Sequence, residues 1–296
     1  MADLHLVQRP ISALPILAKI HISGSPDWVG IGSGAVWISN ILKNNISRID
    51  PAKNEVVANI DVGKAPCSGL AVGFGSVWVP CCGSARIDRV DAATNRVVAS
   101  IATTIADSEG GIGIGDSGVW MPSDGVGTVV NIDPATNRIV GTVKTVPGAV
   151  AAAVGEGAVW VTSTQQSLLC RIDPKTRKLT AKIRVGPKPR FLVVGEGAVW
   201  TLNQGDGSVS RVDPNTNKVV ATIQAGIPGK GGDIAIGEGF VWVTAQNVPL
   251  TKIDPRTNKV VVQFVGEGGD ALRVGGGAIW LCSFFLHEAW HVSLDF

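Results

Sequence analysis

A tryptophan recurs at a nearly constant interval along the whole chain. It closes a Gly-x-Gly-Ala-Val-Trp signature or a close variant seven times, at Trp37, Trp78, Trp120, Trp160, Trp200, Trp242 and Trp280. The intervals between successive tryptophans are 41, 42, 40, 40, 42 and 38 residues. A fixed period of this length indicates a repeat architecture, in which each copy is one small unit packed against its neighbours.

A second signature follows each of the first six tryptophans. It is close to Ile/Val-Asp-Pro-x-Thr-Asn-Lys/Arg-Val/Ile-Val, and its aspartates are Asp50, Asp91, Asp133, Asp173, Asp213 and Asp254. Proline, Asp and Asn favour a tight turn, and the glycines of the first signature favour a hairpin. The short β-branched runs between these turns predict four strands per repeat, named A to D in chain order. In the fifth repeat the predicted strands are residues 190–194, 198–202, 208–212 and 218–223.

Four strands repeated at this period predict an all-β fold, a seven-bladed β-propeller with one four-stranded sheet per blade. We expect residues 1–296 to form a single domain. The seventh repeat ends where its strand C should end, so it has no strand D of its own. Residues 16–22 match the strand D of the next copy, residues 56–62. We therefore expect residues 16–22 to complete the last blade and close the ring, which removes an exposed sheet edge.

Composition excludes several classes of protein. The chain has 296 residues, of which 45% are hydrophobic, and this is enough apolar material for a substantial core. Its net charge is only +2 and its Lys and Arg residues do not cluster, so we expect no nucleic-acid partner. No uninterrupted apolar run approaches the roughly 18–20 residues of a membrane helix, so we expect no membrane partner.

The start of the chain bears on its compartment. Residues 1–10 lack a basic stretch followed by an apolar stretch, so they are not a signal peptide. They are either a cytosolic start or a mature end from which a signal peptide was removed. We expect a periplasmic or secreted monomer, with a cytoplasmic location as the alternative.

The direction of the strands decides where a site can lie. The A–B and C–D turns share one face of the ring, here called the turn face. The D–A and B–C loops share the other, here called the mouth face. The copies use nearly the same residues on the turn face and diverge on the mouth face. Loops on a rigid scaffold tolerate change, so we expect the functional site on the mouth face.

Alignment of the repeats on their tryptophans identifies the side chains that break the pattern. They are charged or aromatic where other copies carry small residues, and they are Asp27, Trp28, Arg190, Phe191, Asp233, Asp270 and Arg273. We expect them to cluster around the mouth of the central channel as a polar funnel with aromatic walls. The alternative is a wet channel mouth in which opposite charges only neutralise one another.

The seventh repeat contains a tempting motif, His287-Glu288-Ala289-Trp290-His291. This H-E-x-x-H pattern binds zinc when a helix places both histidines on one face. Here it falls between predicted strands B and C, where residues four apart in extended chain lie roughly 13 Å apart. We therefore reject a zinc protease. The B–C segment is two residues longer than in most copies, so His287 could reach the channel mouth and carry a proton beside Asp270.

Three cysteines lie close together in the second repeat. The hairpin near Phe74 places Cys67 opposite Cys81 or Cys82. A cross-strand disulfide, a Cys81–Cys82 bridge, a soft-metal site and three reduced thiols are all compatible with this spacing. Cys170 and Cys282 fall in strand core positions.

The Trp-Val-Thr-type strands and Ile-Asp-Pro-x-Thr-Asn turns resemble those of the bacterial propellers grouped as YVTN/YncE-like. They are also similar to the streptogramin (virginiamycin B) lyase family, and both resemblances cover nearly the whole chain. The lyase resemblance implies a catalytic His ten residues before a repeat tryptophan, a Glu two residues before that His, and a Glu four residues after the tryptophan.

No repeat of this chain reproduces the lyase set. The equivalent positions are Ser25, Asp27 and Ile41 in the first repeat, Ser108, Gly110 and Asp124 in the third, and Gly268, Asp270 and Phe284 in the seventh. None of the seven positions equivalent to the catalytic His carries a histidine. The resemblance therefore implies the scaffold and argues against a lyase that acts through that histidine.

Two functions remain compatible with the sequence. The first is binding of a small or mid-sized ligand, or a protein partner, at the mouth face. The alternative is a lyase or hydrolase that acts on a small cyclic or ester-like substrate at the same face. We expect no cofactor, with a divalent metal at the channel mouth as the alternative. A buried carboxyl with a perturbed pKa would favour catalysis, whereas a binding rim should titrate normally.

Overall fold

Seven sheets form a ring in the computed structural model, which describes residues 4–227, 229 and 231–296, and the blade strands A to D pair antiparallel in each sheet. In each blade, strand A lies nearest the central axis and contacts the strands A of the neighbouring blades. The strands are predominantly short and β-branched, and each follows the last through a tight turn or loop. The prediction of a seven-bladed propeller is therefore confirmed.

The strands are numbered in chain order. The N-terminal segment carries β1 (Gln8–Pro10) and β2 (Ile16–His21); blade 1 is β3 (Pro26–Gly32), β4 (Ala35–Asn40), β5 (Asn45–Asp50) and β6 (Glu55–Asp61); blade 2 is β7 (Ala71–Gly73), β8 (Ser76–Cys81), β9 (Arg86–Asp91) and β10 (Arg96–Ala102). Blade 3 is β11 (Gly113–Gly115), β12 (Gly118–Pro122), β13 (Thr128–Asp133) and β14 (Arg138–Lys144); blade 4 is β15 (Ala149–Gly155), β16 (Ala158–Ser163), β17 (Leu168–Asp173) and β18 (Lys178–Arg184).

The remaining blades follow the same order. Blade 5 is β19 (Pro189–Gly195), β20 (Ala198–Asn203), β21 (Ser208–Asp213) and β22 (Lys218–Gln224); blade 6 is β23 (Asp233–Gly237), β24 (Phe240–Ala245), β25 (Val248–Asp254) and β26 (Lys259–Val265); blade 7 is β27 (Ala271–Gly275), β28 (Ala278–Ser283) and β29 (Glu288–Val292). Short 3₁₀ helices span Leu4–Leu6, Ile11–Ala13 and Cys82–Ser84. The strands predicted for the fifth repeat agree with β19–β22 to within one residue at each end.

The N-terminal segment closes the ring in two places. As predicted, β2 pairs antiparallel with β29 and supplies the outer strand of blade 7. The sequence did not predict β1, which pairs parallel with β26 and becomes a fifth strand of blade 6. The segment therefore fastens the last two blades to each other.

Five of the seven repeat tryptophans make the same hydrogen bond within their own blade. The indole N–H of Trp37 donates to the carbonyl of Gly32, five residues earlier, over 3.2 Å. The same bond recurs in four other blades, at Trp78, Trp160, Trp200 and Trp242. A Cβ at Gly32 would lie 2.6 Å from the Val72 side chain of the next blade. The glycine is therefore needed because a branched side chain of the neighbouring strand A packs against it.

A clasp joins neighbouring blades on the turn face. Arg171 of strand C lies over the Trp160 ring, and its guanidinium donates to the Pro214 carbonyl at 2.9 Å and to the Asn217 side chain at 3.1 Å. Asn217 has φ 55°, a left-handed conformation that Asn tolerates better than most residues. Equivalent clasps join Arg48 to Asn95, Arg89 to Asn137 and Arg211 to Asn258. The recurrent Asn thus serves both its own turn and the blade interface.

Three interfaces lack this arginine clasp, and at the one between blades 7 and 1 His291 takes the place of the arginine by stacking on Trp280 and contacting the Asn54 side chain. Between blades 3 and 4 the residue types are exchanged, because Asn131 stands on strand C and Arg177 stands in the turn, where its Nε donates to the Asn131 amide oxygen at 3.4 Å. Blade 7 has no C–D turn to receive the strand C cation of blade 6. That cation, Lys252, instead lies over the rings of Phe240, Trp242 and Phe296.

Candidate functional site

The loops of the mouth face surround a cavity of about 350 Å³, here called the mouth cavity. Its lining combines carboxyl, guanidinium, amide and aromatic side chains: Asp27, Glu109, Arg190, Gln204, Gln246, Asp270, Phe284 and Phe285, with Gly231. Cavities that bind small molecules are commonly about 300–1,000 Å³ and mix apolar walls with a few polar groups. The mouth cavity is therefore of a suitable size and character for a small ligand.

Asp27 and Asp270 are the two most perturbed acids of this cavity. They stand ten residues before the tryptophans of blades 1 and 7, which are neighbours in the ring, and they are only 6% and 8% exposed. Burial, with the nearby charges of Glu109 and Asp270, raises the pKa of Asp27 to about 8. Burial and the charge of Glu109 raise the pKa of Asp270 to about 7. Both carboxyls therefore exchange protons near neutral pH.

Glu109 is the third acid of the mouth cavity and was missed by the sequence analysis. Burial raises its pKa, while the Arg190 guanidinium lowers it. It lies eleven residues before Trp120. The aligned position that identified Asp27, Arg190 and Asp270 lies ten residues before each tryptophan, so it does not include Glu109. The acidic run Asp107-Ser108-Glu109 in this D–A loop was the available signal.

Arg190 is held in place by the same D–A loop. Its guanidinium forms a 2.8 Å ion pair with Asp107, donates to the Glu109 carbonyl at 3.3 Å, and donates to the Gln204 side chain at 3.1 Å. Glu109 N–H in turn donates to the Asp107 carboxylate at 2.8 Å. The charge of Arg190 is therefore largely matched by Asp107.

The structure separates Trp28, Phe191, Asp233 and Arg273 from the mouth cavity, which corrects the prediction of one cluster. These residues line a second cavity of about 230 Å³ inside the central channel, and the two cavities share no lining residue. Trp28 and Phe191, from blades 1 and 5, meet edge to face with ring centroids 5.5 Å apart. They form a floor across the channel, and the aromatic walls of the mouth are instead Phe284 and Phe285.

Asp233, which is buried, and Arg273, which is partly exposed, form an ion pair between blades 6 and 7. Asp233 is 3% exposed and also accepts hydrogen bonds from the backbone N–H groups of Ile234 at 2.8 Å and Leu272 at 3.3 Å. Burial raises the pKa of Asp233, and Arg273 opposes that shift. The two charges of this pair neutralise each other. For Asp233 and Arg273 the alternative prediction, of opposite charges that only neutralise one another, therefore applies.

His287 does not reach the mouth cavity. Its side chain is exposed and its Nδ1 contacts the carbonyl oxygen of Gly24, while Phe284 and Phe285 of the same loop line the cavity. His291 lies on β29, stacks on Trp280 with centroids 4.3 Å apart and contacts the Asn54 side chain at 2.6 Å. The two histidines of the H-E-x-x-H motif thus serve different contacts, and His287 is not placed to act with Asp270.

The structure pairs Cys67 with Cys82 in a disulfide, with Cα atoms 5.8 Å apart. Cys81 is buried and free, and burial raises the pKa of its thiol to about 12. Cys170 and Cys282 are also free and buried, as expected for strand core positions. The disulfide joins the D–A loop to the B–C loop of blade 2, on the mouth face.

The blade 2 loop supports the loop that carries Glu109. Ser68 N–H donates to the Ser108 carbonyl at 2.6 Å, and Gly69 N–H donates to the Gly110 carbonyl at 2.9 Å. The disulfide at Cys67 lies next to the first of these bonds. It therefore stabilises the mouth cavity from the side.

Two features are absent from the part of the chain that the structure describes. No three His, Cys, Asp or Glu side chains among those residues lie close enough together to hold a metal ion. Within the same residues, no helix is long and apolar enough to cross a membrane.

The sequence matches no protein-family profile and no curated relative. In structure, the chain is similar to virginiamycin B lyase from Staphylococcus aureus, with a TM-score of 0.80, 16% identity, and coverage of 94% of this chain and 98% of the lyase. A streptogramin B lyase gives a TM-score of 0.80 at 19% identity, with coverage of 94% and 97%.

A chain of Kuenenia stuttgartiensis hydrazine synthase gives a TM-score of 0.78 at 14% identity, with coverage of 100% of this chain and 99% of that chain. Proteins of different names thus share this scaffold, so the likeness establishes architecture only. The chain is a seven-bladed β-propeller similar in fold to the streptogramin B lyases.

Proposed function

We propose that the mouth cavity binds a small molecule and that Asp27 and Asp270 transfer protons on it, as in a lyase or hydrolase. The observation that carries the proposal is the placement of two buried carboxyls from adjacent blades in one cavity. Neither forms an ion pair with a described cation. Burial of such groups is costly, and perturbed carboxyls in a cavity are typical of catalytic sites.

The two carboxyls suit complementary roles. At about neutral pH a carboxyl with a pKa near 7 is partly ionised and can accept a proton, whereas one with a pKa near 8 is mostly protonated and can donate one. In an elimination, Asp270 would take a proton from carbon and Asp27 would protonate the leaving oxygen as its bond to the substrate breaks. In a hydrolysis, Asp270 would instead take a proton from an attacking water.

The comparison with the lyases supports the location of this site. Asp27 and Asp270 stand where the streptogramin lyase resemblance implies a catalytic histidine, ten residues before a repeat tryptophan. The chain departs from that pattern in residue type, and Phe284 stands where a glutamate is implied. The YVTN/YncE-like resemblance remains part of this proposal, and it leaves binding without chemistry as the second candidate function.

Binding without turnover is favoured by one observation, the replacement of that implied glutamate by Phe284. Phe284 and the neighbouring Phe285 turn one wall of the cavity into an aromatic surface, which recognises a ligand but transfers no proton. A receptor-like protein could use Asp27 and Asp270 for hydrogen bonding alone.

A turnover screen with small lactones and esters at about neutral pH tests the proposal. Asp27→Asn and Asp270→Asn should each lower the rate by about 100-fold or more, the usual loss when a general acid or base is removed. His287→Ala is the matched control and should retain activity. Ligands that bind but never turn over would favour the binding function, and full activity in both Asn variants would contradict the proposed roles.

We also propose that the protein works in an oxidising compartment, the periplasm or the exterior. The Cys67–Cys82 disulfide supports this, because such bonds persist mainly in oxidising environments. Protein unfolded without reductant should expose three alkylatable thiols, from Cys81, Cys170 and Cys282. Five reactive thiols would contradict the disulfide and remove the support for the compartment.

A further inference from the structure

The charges of the mouth cavity do not balance among the described residues. Arg190 is the single cation of its described lining and is paired with Asp107. Arg190 also offsets Glu109 in part, but Glu109 still raises the pKa of both Asp27 and Asp270, so three acids stand against one cation in this described lining. Like charges held together in a partly dry cavity create a local field that favours a positive ligand.

The indole of Trp28 acts on the Asp27 carboxyl from beneath the mouth cavity. Trp28 is 2% exposed and lines the channel cavity, not the mouth cavity. Its buried indole nitrogen has no hydrogen-bond partner of good geometry, and its N–H lowers the pKa of Asp27 against the larger effect of burial. Trp28 therefore favours the ionised form of Asp27, which is the form that a bound cation needs.

The rim of the cavity offers an apolar contact. Phe285 is 67% exposed, and its ring meets that of Phe284 edge to face with centroids 5.3 Å apart. Both rings line the same cavity as the carboxyl groups and give it an apolar surface. Aromatic faces bind organic cations and the apolar groups attached to them.

We propose that the ligand of the mouth cavity is a small organic cation, an ammonium that carries an aromatic or alkyl group. Its charge lies among Asp27, Glu109 and Asp270, and its apolar part contacts Phe284 and Phe285. The inference rests on the proposed function, since it names the class of molecule that the same cavity takes. A cation of this kind supplies the charge that the described lining lacks.

Three probes of matched shape test the charge requirement: 2-phenylethylammonium, 2-phenylethanol and 3-phenylpropionate. Isothermal titration at about pH 7 should show the ammonium binding at least about 10-fold more tightly than the alcohol, the effect of one charge-assisted bond. The carboxylate should bind least. Equal affinity for ammonium and alcohol, or preference for the carboxylate, would overturn the inference.

Proton release provides a second readout. A bound cation favours the ionised carboxylates, so the ammonium should release protons when it binds at about pH 7, and the alcohol should not. Titrations in two buffers of different ionisation enthalpy measure that release. Ammonium binding without proton release would place the cation away from these carboxyls and contradict the inference.

Variants locate the binding. Glu109→Gln and Asp270→Asn should weaken ammonium binding by about 10-fold while changing alcohol binding by about 3-fold or less. Asp116→Asn, an exposed acid on the turn face, is the matched control and should change neither. Lys230 lies outside the described residues. If a Lys230→Gln variant bound the ammonium about 10-fold more tightly, the lysine would be the cation that occupies the cavity in the free protein, which would contradict the inference that the ligand must supply it.

The outcomes separate this inference from the proposed function. Mouth-specific binding of the neutral or anionic probe would overturn the cation and leave a ligand site at the mouth. Tight binding of Mg²⁺ or Zn²⁺, lost in Glu109→Gln, would replace the organic cation with a metal. Absence of binding by all three probes up to about 10 mM would overturn the inference, while the turnover screen judges the proposed function separately.

Discussion

The two faces of the ring use the same scaffold in opposite ways. On the turn face, a few residue types solve the same problem in blade after blade, as the arginine–asparagine clasps show. On the mouth face, single copies depart from the pattern, and three such departures bring Asp27, Arg190 and Asp270 into one cavity. Repetition therefore marks what holds the ring together, and its local loss marks where a site was built.

The largest expected effect on stability comes from removing the N-terminal segment, which belongs to neither the turn face nor the mouth face. Deletion of residues 1–22 takes away β1 and β2 together and leaves the edges of β26 and β29 unpaired. We expect aggregation or loss of a cooperative melting transition, because unpaired strand edges associate. Size-exclusion chromatography and thermal melting measure this. A monomeric truncated protein with an unchanged transition would contradict the closure.

Breaking one clasp should cost less and should spare the mouth. Arg171→Ala removes two hydrogen bonds of a charged group, so we expect a loss of about 1–3 kcal/mol and a melting temperature lower by about 2–10 °C. Ligand binding or turnover should be unaffected. Arg184→Ala, an exposed arginine on the same blade, is the control for loss of charge.

The exchanged pair between blades 3 and 4 sharpens this test. Asn131→Arg alone places two guanidinium groups together, and Arg177→Asn alone leaves two amides. The double variant recreates the clasp of the other interfaces, so it should melt higher than either single variant. A double-mutant cycle measures the coupling, and additive losses would show that the two positions do not act as a unit.

Titration should distinguish the two faces by sign. Asp27 has a folded pKa of about 8 against an ordinary value of 3.8, so the folded state binds this proton more tightly than the unfolded chain. Its stabilising effect is full below about pH 4 and is lost as the pH rises through about 8. The turn-face acids, such as Asp91 and Asp213, have lowered pKa values and contribute in the opposite direction.

Asp27→Asn should therefore raise the melting temperature at about pH 9 by at least about 2–4 °C and have little effect at about pH 4. Melting curves across that range test this expectation, with Asp116→Asn as the control. Equal shifts at both ends of the range would show that the Asp27 carboxyl is not perturbed in the folded state.

The smallest effect on stability is expected at the mouth itself. Arg190 is partly exposed, with 21% of its side chain accessible, so Arg190→Ala should leave the melting temperature within about 2–4 °C. Turnover should fall by about 10-fold, because Glu109 and Asp107 lose the group that positions them. Function that survives this change but is lost with a turn-face variant would move the site to the opposite face.

The sequence predicted the features that recur in every copy, and it predicted the closing strand because the seventh copy lacks a strand D. The seven blades, their turns and the closing strand β2 followed from periodicity and from the incomplete last copy. The strand β1 could not be found in this way, because it is short, parallel and has no counterpart in other copies. The clasp was also missed, since it joins residues more than forty positions apart, as in Arg48 and Asn95.

The candidate site was predicted in part. Alignment on the tryptophans identified Asp27, Arg190 and Asp270, but it could not assign depth along the channel. One residue of difference along a strand moves a side chain to the other face of the sheet, which is why Trp28 and Phe191 lie beneath the cavity that Asp27 and Arg190 line. Glu109 was missed because its loop is irregular, and the disulfide partner of Cys67 depended on the local 3₁₀ turn at Cys82–Ser84.

The double attachment of the N-terminal segment also imposes an order on biosynthesis. The partners of β1 and β2, at Lys259–Val265 and Glu288–Val292, are synthesised more than 240 residues after the segment itself. At roughly 5–20 residues per second, the ribosome needs about 12–50 s to reach them. During that interval Leu14, which packs in the finished ring among residues of blades 6 and 7, has no partner and is accessible to chaperones. The ring therefore cannot close until the last blade has been synthesised.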